Sequence, residues 1–255
     1  MSMPNAVPAA LAAFFKEHPR MALAFSGGTD SAYLLYAARA CGCDVKAYYA
    51  RSAFQPEFER RDAMRLADQL GAPLREVPLD VLAVEKVRLN PENRCYFCKQ
   101  AIFTALADAA RAEGYAEIMD GTNASDDAGD RPGMRALREM GVLSPLRLCG
   151  IPKARVRALS REAGLFTADK PAYACLATRI PAGTPIDGAT LRRVEGAEGA
   201  LFDLGYVDFR VRVFHGAARL QLPADQLERA ARERGALRAA LAPYFETVLL
   251  DLKER

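Results

Sequence analysis

The stretch AFSGGTDSAYLL, residues 24–35, joins a predicted strand to a predicted helix through two glycines. Residues 21–25 are apolar enough for a buried strand, and Leu34, Leu35 and Ala38 recur at helical spacing. The N–H groups and the positive dipole end at such a helix start attract anions. Glycines let phosphate oxygens approach the backbone closely, and serine hydroxyls add donors. The stretch therefore predicts a phosphate-binding turn, whereas the alternative is a glycine-rich turn without a ligand.

The residue pattern of this turn narrows the class of phosphate site. A P-loop ends in Lys followed by Ser or Thr, and the dinucleotide fingerprint is G-x-G-x-x-G; neither occurs here. The pattern S-G-G-x-D-S instead matches the PP-loop of ATP pyrophosphatases, which cleave ATP between the α and β phosphates. We therefore expect Ser26, Gly27, Gly28 and Ser31 to bind ATP and Asp30 to hold Mg²⁺.

Strand and helix patterns alternate along the first two thirds of the chain. Strands are predicted over 45–50, 74–79 and 116–121, with helices over 57–71 and 102–114. This alternation predicts an α/β fold with a doubly wound, mostly parallel sheet. Residues 120–127, DGTNASDD, follow a strand and are expected at the carboxyl edge of that sheet, where such folds bind ligands. On its own this segment also reads as a polar turn.

The pattern of predicted strands and helices changes after a Pro- and Gly-rich stretch that begins near Pro171. We place a domain boundary there, with residues 1–170 forming the PP-loop ATP pyrophosphatase domain and residues 171–255 a small α+β domain for the substrate. Strands are predicted in this second domain over 207–213, 218–222 and 245–252, and helical turns over 224–241.

Charge and hydropathy limit the partners and the cellular location that we expect for this chain. The 35 Lys and Arg barely outnumber the 32 Asp and Glu, for a net charge of +3, and no long basic block occurs, so we expect no nucleic-acid partner. The N-terminus has neither the basic start nor the apolar run of a signal peptide, and no stretch is long and apolar enough to suggest a membrane span. We therefore predict a cytoplasmic protein, in which six cysteines point to ligand or thiol chemistry rather than to disulfides.

Three cysteines stand out by their context. Cys95 and Cys98 form a C-x-x-C at the start of a predicted helix, which suits a redox pair, half of a zinc site, half of an iron–sulfur site or coincidence. Cys175 lies in the interdomain loop between Lys170 and Arg179, whose charges would favour its thiolate. The alternative is that Cys175, like many isolated cysteines, is a buried residue without a chemical role. Cys149 has a weak case as a fourth ligand, and Cys41 and Cys43 are expected to be ordinary turn residues.

Six stretches taken in order resemble the LarE family of ATP-dependent sulfur transferases, and they span most of the chain. They are FSGGTDS (25–31), NRCYFCK (93–99), DGTNASDD (120–127), SPLR (144–147), KARVRALSREAGL (153–165) and DKPAYACLATRIPAG (169–183). The resemblance implies the adenine nucleotide alpha hydrolase-like fold of PP-loop enzymes. It further implies adenylylation of the carboxylates of a nicotinate-derived mononucleotide and their conversion to thiocarboxylates for the nickel-pincer cofactor of lactate racemase.

The family roles transfer onto matching positions of this chain. Gly121, Thr122 and Asn123 are placed near the nucleotide, and Cys175 takes the sulfur-donor position. In one branch of the family this cysteine gives up its own sulfur and becomes dehydroalanine; in another, three cysteines hold a [4Fe–4S] cluster with exchangeable sulfide. Since Cys95 and Cys98 are present, we favour a cluster on Cys95, Cys98 and Cys175, supplied by sulfide or another sulfur donor. A homo-oligomer is also expected.

Arginines of the second domain are the candidates for substrate binding. Arg210 and Arg212 alternate along a predicted strand, so both guanidinium groups lie on one face of it, opposite Val211. Arginine matches a phosphate monoester in a bidentate way, so we assign the pair, with Arg179, to the substrate and its 5′-phosphate. A solvated strand face is the alternative.

Three other functions are consistent with parts of this pattern. A tRNA thiouridylase shares the PP-loop and thiol chemistry, but it would need a basic RNA-binding module. An ammonia-using PP-loop ligase would have no need for the cysteines. A zinc protein would use Cys95, Cys98, Cys149 and Cys175 as four structural ligands.

Overall fold

The computed structural model describes residues 7–126 and 132–253, which form two compact units. The first unit comprises the described residues up to Ser52, Glu57–Val81 and Asn93–Lys170. The second comprises Ala53–Pro56, Leu82–Glu92 and the described residues from Pro171 onward. The predicted boundary between 170 and 171 stays a prediction, and the structure adds two short upstream segments to the second unit.

A four-stranded parallel sheet forms the centre of the first unit. Its strands are β1 (Arg20–Ala24), β2 (Asp44–Arg51), β3 (Leu74–Pro78) and β4 (Ile118–Met119), in the order β3-β2-β1-β4. In the central strand, Leu23 pairs with Ala47 on one side and with Met119 on the other. The strands of the first unit therefore all run in one direction, as the alternation of strand and helix predicts.

Helices occupy both faces of this sheet. In chain order the α-helices of the first unit are α1 (Ala9–Glu17), α2 (Thr29–Ala40), α3 (Glu57–Gln69), α5 (Arg94–Arg111), α6 (Pro132–Glu139), α7 (Pro145–Leu148) and α8 (Lys153–Glu162). The α-helices of the second unit are α4 (Glu85–Arg88), α9 (Gly188–Asp203), α10 (Ala224–Arg232) and α11 (Arg234–Leu241). Short 3₁₀ helices span Val81–Ala83 and Leu176–Arg179. None of the helices in the described part of the chain has both the length and the apolar character needed to cross a bilayer.

Alternate residues of the same strands supply the two cores of the first unit. Leu23 and Val45 pack with α1, α2, α3 and α8 on one face. Ala22 and Tyr48 pack with α5 on the other face, where Phe103 is also buried. A fully buried side chain of this size contributes about 1.5–3 kcal/mol relative to an exposed one. Strand residues that alternate between two buried clusters, together with helices on both faces, confirm the predicted doubly wound α/β fold.

Strand order determines where a ligand fits in the first unit. The chain leaves β1 through α2 toward β2 on one side, whereas β4 pairs with β1 from the other side. In a doubly wound sheet the crevice lies at this switch point, at the carboxyl ends of the two strands. Residues 25–28 and 120–123 begin at those ends.

The second unit is a small α+β fold. Its sheet has the order β5 (Arg210–Phe214), β6 (Ala217–Gln221) and β7 (Val248–Leu250), with β5 antiparallel and β7 parallel to β6. At the start of α9, Asp187 accepts hydrogen bonds from the N–H of Thr190 at 2.8 Å and from its hydroxyl at 2.7 Å. This is an N-cap, which satisfies a donor that the helix itself leaves unpaired.

Element limits in this unit differ from the predicted ones. The predicted strand at 207–213 begins only at Arg210, since Asp208 has a φ of +52° and Gln226 holds both the N–H and the carbonyl of Val207. The helical turns predicted over 224–241 are two helices that meet at Glu233. The strand predicted over 245–252 is reduced to three residues, Val248–Leu250.

Candidate active site

The turn that follows β1 depends on glycine. Gly27 has a φ of +71°, in the left-handed region that favours glycine. A Cβ at Gly27 would lie 2.8 Å from the Cβ of Ala63 and 3.0 Å from its Cα, so α3 leaves no room for a side chain. The chain therefore passes in contact with α3 and reaches Gly28, the N-cap of α2. The predicted strand–turn–helix geometry is present.

Serine hydroxyls border this turn on both sides. The Ser26 and Ser31 hydroxyl oxygens lie 3.1 Å apart, and Ser31 also donates to the carbonyl of Gly28 at 3.2 Å. The N–H of Gly28 donates to the Ser26 hydroxyl over a longer 3.4 Å. The first N–H groups of a 12-residue helix thus start beside two hydroxyls, which is the donor set of an anion cradle.

A second loop closes against the first turn of α2. A Cβ at Gly121 would lie 2.8 Å from the backbone nitrogen of Ser31, so the 121–123 backbone approaches α2 as closely as a glycine allows. The buried Asp120 accepts from the hydroxyl of Thr122 at 2.6 Å and from that of Ser144 at 2.7 Å. Asp120 is thereby occupied in bracing the loop, and Gly121 and Thr122 lie next to the predicted ATP turn.

The remainder of this loop connects to the start of α8. The side-chain oxygen of Asn123 accepts from the N–H of Ser125 at 2.8 Å, and Asp126 accepts from the N–H of Asn123 at 2.9 Å. The hydroxyl of Ser125 in turn accepts from the N–H of Lys153 at 3.0 Å. Asp127, the last residue of the predicted segment, lies outside the described residues.

The start of α8 contributes a cation to the site. The Lys153 ammonium donates to Oδ2 of Asp30 at 2.5 Å, and both side chains are partly exposed. Burial raises the pKa of the Asp30 carboxyl above its ordinary value, against the opposing effect of Lys153. The other oxygen of Asp30, Oδ1, is buried and has no hydrogen-bond partner among the described residues. A buried carboxylate oxygen without a partner fits a Mg²⁺ ligand.

We use the name nucleotide site for the predicted ATP turn, Ser26–Ser31, together with residues 120–123 and Lys153. Sequence reasoning missed Lys153 as a site residue, although the stretch that it begins, 153–165, is among those that resemble LarE. No local spacing indicates its role, because its partner Asp30 is 123 positions earlier in the chain. Its position as the first residue of a helix after Pro152 was the available signal.

The C-x-x-C lies in the first turns of α5, as predicted. Cys95 is exposed and Cys98 half-buried, and the guanidinium of Arg94 lies 3.8 Å from the Cys95 sulfur. Among residues 7–126 and 132–253, no three His, Cys, Asp or Glu side chains are grouped closely enough to hold a metal ion. The cluster on Cys95, Cys98 and Cys175 stays a prediction. Burial raises the pKa of the Cys149 and Cys41 thiols, which disfavours their thiolates.

In the second unit, Cys175 directly precedes a 3₁₀ helix and is half-buried. We call residues 172–179 the Cys175 loop. Arg179, which ends this loop, is 1% exposed and makes a bidentate ion pair with Glu198 of α9, at 2.7 and 3.1 Å. Arg210 donates to the carbonyl of Ala172 at 2.7 Å, and Arg212 to that of Thr178 at 2.5 Å. The structure therefore brings the three predicted substrate arginines together around the Cys175 loop.

These arginines concentrate positive charge in a buried place. Arg210 is 6% exposed, which rules out a solvated strand face for it. Burial, and then the charge of Arg179, lower the pKa of Arg210 to about 10, and the same two causes lower the pKa of Arg212. Glu198 is the carboxylate that makes an ion pair within this group of three guanidinium groups. An anionic ligand would neutralise the remaining charge.

Comparison with other proteins relates this chain to known enzymes. It is 36% identical over 221 residues to the pyridinium-3,5-bisthiocarboxylic acid mononucleotide synthase of Lactiplantibacillus plantarum, covering 86% of this chain and 80% of that protein. It is 39% identical over 216 residues to an uncharacterized protein of Synechocystis, covering 84% and 81%. A tRNA-specific 2-thiouridylase of Rhodococcus opacus is 30% identical over 186 residues, which is 60% of this chain and 51% of that enzyme. No family model matches the chain.

The long match to the synthase, the parallel sheet and the glycine turn agree with one another, and the thiouridylase match adds a more distant PP-loop relative. The chain therefore belongs to the LarE family, that of the pyridinium-3,5-bisthiocarboxylic acid mononucleotide synthase.

Proposed function

We propose that this protein is an ATP-dependent sulfur transferase that converts the carboxylates of a pyridinium dicarboxylate mononucleotide to thiocarboxylates, for the nickel-pincer cofactor. The similarity to the synthase over most of both chains carries this proposal. The nucleotide site supports it because glycine turn, hydroxyls, ammonium and carboxylate together suit a nucleoside triphosphate. As part of the proposal, residues 1–170 bind and activate ATP, and residues 171–255 bind the substrate.

The first half-reaction is adenylylation. A carboxylate oxygen of the substrate attacks the α-phosphorus of ATP, the bond to the bridging oxygen of the β-phosphate breaks, and pyrophosphate leaves. Ser26, Ser31 and the N–H groups of Gly27 and Gly28 donate to the phosphates. Lys153 neutralises negative charge on these phosphates.

Mg²⁺ fits the buried Oδ1 of Asp30, and when bound there it would offset the charge of the departing pyrophosphate. The residues of the loop opposite have a positioning role. Gly121, Thr122 and Asn123 form the wall of the nucleotide site, held in place by Asp120. We place the adenosine moiety against this wall.

The second half-reaction transfers sulfur. A sulfur nucleophile attacks the acyl carbon of the adenylate, the carbon–oxygen bond breaks, and AMP leaves with that oxygen. If Cys175 is the donor, the product is first a thioester; removal of the Cys175 Cα proton then breaks its Cβ–S bond, which leaves a thiocarboxylate and dehydroalanine. Acyl substitution followed by this elimination involves no net oxidation or reduction, so no oxidant is needed. The cluster on Cys95, Cys98 and Cys175 stays the sequence-based alternative for supplying sulfur.

Arg210, Arg212 and Arg179 are proposed to recognise the substrate phosphate. Arg210 and Arg212 each use two donor groups on this chain, Arg210 on the carbonyls of Phe209 and Ala172, and Arg212 on Thr178 and Gln221. A guanidinium has five N–H donors, so each retains others for a ligand. The lowered pKa of Arg210 agrees with a site that gains from an anion.

The proposal is tested with the mononucleotide dicarboxylate, the same compound without its phosphate, and unmodified tRNA. We expect thiocarboxylate from the mononucleotide, a large increase in KM without the phosphate, and no thiolated tRNA. Arg210→Ala with Arg212→Ala should raise KM for the mononucleotide, whereas the control Arg219→Ala, whose partner is Asp251, should not. Thiolation of tRNA with no product from the mononucleotide would replace this proposal by the thiouridylase function.

A further inference from the structure

Glu198 is the centre of a hydrogen-bond network inside the second unit. It is 1% exposed on α9 and accepts Nε and Nη2 of Arg179, the backbone N–H of Val211 at 2.9 Å and the hydroxyl of Tyr173. Both carboxylate oxygens are therefore occupied by protein donors. A buried bidentate pair of this kind has one well-defined geometry, and removal of one partner leaves an uncompensated charge.

The arginines of this network bind carbonyls of the Cys175 loop. Nη1 of Arg179 donates to the carbonyl of Ala174, the residue before Cys175, at 3.0 Å. Arg210 and Arg212 hold the carbonyls of Ala172 and Thr178, as described above. Charged donors thus bind the backbone on both sides of the cysteine, and such bonds are stronger than those between neutral groups.

Bonds at Cys175 itself complete this restraint. Its carbonyl accepts from the N–H of Thr178 at 3.0 Å and from the hydroxyl of Thr178 at 2.8 Å. The next N–H, that of Leu176, donates to the carbonyl of Phe54 at 2.9 Å. Carbonyls on both sides of the sulfur-bearing residue are thereby fixed, although the part of the loop before the 3₁₀ helix has no regular secondary structure.

We infer that Glu198 is a positioning residue for sulfur transfer: through Arg179, and through the arginine group that it neutralises, it holds the Cys175 loop in one conformation. This inference rests on the proposed function, in which Cys175 supplies or holds the sulfur. The reason is geometric, since attack on an acyl carbon requires the sulfur at a defined distance and angle, and a displacement of about 1 Å can cost about 10²-fold in rate. Because both of its oxygens bind protein donors, Glu198 is assigned no contact with substrate or nucleotide.

The test separates the two half-reactions in the full-length protein. Glu198→Gln keeps the shape and removes the charge, and Glu228→Gln, on the exposed surface of α10, is its matched control. We expect Glu198→Gln to retain pyrophosphate release within about twofold and to lower thiocarboxylate formed per pyrophosphate about 10–100-fold. Amide hydrogen exchange should accelerate in a peptide spanning 172–179 and not in one from α5. The control should change none of these.

Tyr173→Phe provides a second variant in case Glu198→Gln does not fold, because it removes one hydrogen bond to Glu198 without removing the charge. It should show the same selective loss to a smaller degree. Unchanged thiocarboxylate yield in both variants, or a parallel loss of pyrophosphate release, overturns the positioning role. Failure of the proposed function looks different: wild-type protein would then form no thiocarboxylate, or Cys175→Ala would still form it.

Discussion

The Lys153 ammonium lies 2.5 Å from the Asp30 carboxylate, although the two residues are 123 positions apart. The contact joins the first residue of α8 to the first turn of α2, beside the Gly27–Gly28 turn. Phosphate oxygens would bind the ammonium of Lys153, and a metal ion would bind the carboxylate of Asp30. Under the proposed function, binding of a metal–nucleotide complex would therefore redistribute an ion pair that the protein already contains.

Loss of Lys153 should weaken ATP binding. A hydrogen bond to a charged group contributes about 1.5–3 kcal/mol, so Lys153→Ala is expected to raise the Kd for ATP by about tenfold or more. Lys153→Arg keeps the charge and should lose less. Titration calorimetry measures both, with the exposed Lys16→Ala as control. An unchanged Kd in Lys153→Ala would remove this residue from the nucleotide site.

Asp30 should matter for the metal rather than for the fold. Asp30→Asn keeps the size of the side chain and removes the charge that Mg²⁺ needs, so pyrophosphate release should fall by at least about 10²-fold. The variant should also need more Mg²⁺ for half-maximal activity, and its melting temperature should change little. Asp108→Asn, at an exposed i,i+3 pair, serves as control. Wild-type Mg²⁺ dependence in Asp30→Asn would contradict the assignment.

Gly27 should tolerate no side chain. Gly27→Ala combines a φ of +71° with a Cβ 2.8 Å from Ala63, and we expect a loss of about 1–3 kcal/mol in stability together with loss of ATP binding. Gly42→Ala isolates the backbone contribution, because Gly42 has a φ of +76° and its Cβ would meet nothing within 4 Å. Urea unfolding and ATP titration of both variants compare the two. Normal ATP affinity in Gly27→Ala would argue against the turn as the phosphate cradle.

The cysteines decide how sulfur is supplied. The cluster hypothesis predicts brown, iron-containing protein after anaerobic purification, and loss of iron and of multiple turnover in each of Cys95→Ser, Cys98→Ser and Cys175→Ala. Donation from Cys175 itself predicts that only Cys175 is essential and becomes dehydroalanine after one turnover, which intact-protein mass spectrometry detects. Cys41→Ala and Cys149→Ala should be active in either case. Dehydroalanine at position 175 in active, iron-free protein would exclude the cluster.

Local patterns were enough to predict most of the fold and the strand–turn–helix geometry at Gly27 and Gly28. The S-G-G-x-D-S turn depends on glycine conformation and on a strand and a helix that are adjacent in sequence, so its residues lie together in the chain as well as in space. Lys153 was missed because an ion pair between α8 and α2 has no local signature. For Arg210 and Arg212, the period of two indicated that both lie on one face, but it did not indicate that their guanidinium groups bind carbonyls of the Cys175 loop.

The central claim, adenylylation of a substrate carboxylate, is tested most directly by following oxygen. With ¹⁸O in the substrate carboxylates, attack on the α-phosphorus and later release of AMP transfer one labelled oxygen to AMP for each thiocarboxylate formed. The account predicts AMP, pyrophosphate and thiocarboxylate in equal amounts. AMP carries one labelled oxygen, the thiocarboxylate keeps the other, and pyrophosphate carries none. ADP and phosphate as products, or AMP without label, would contradict it.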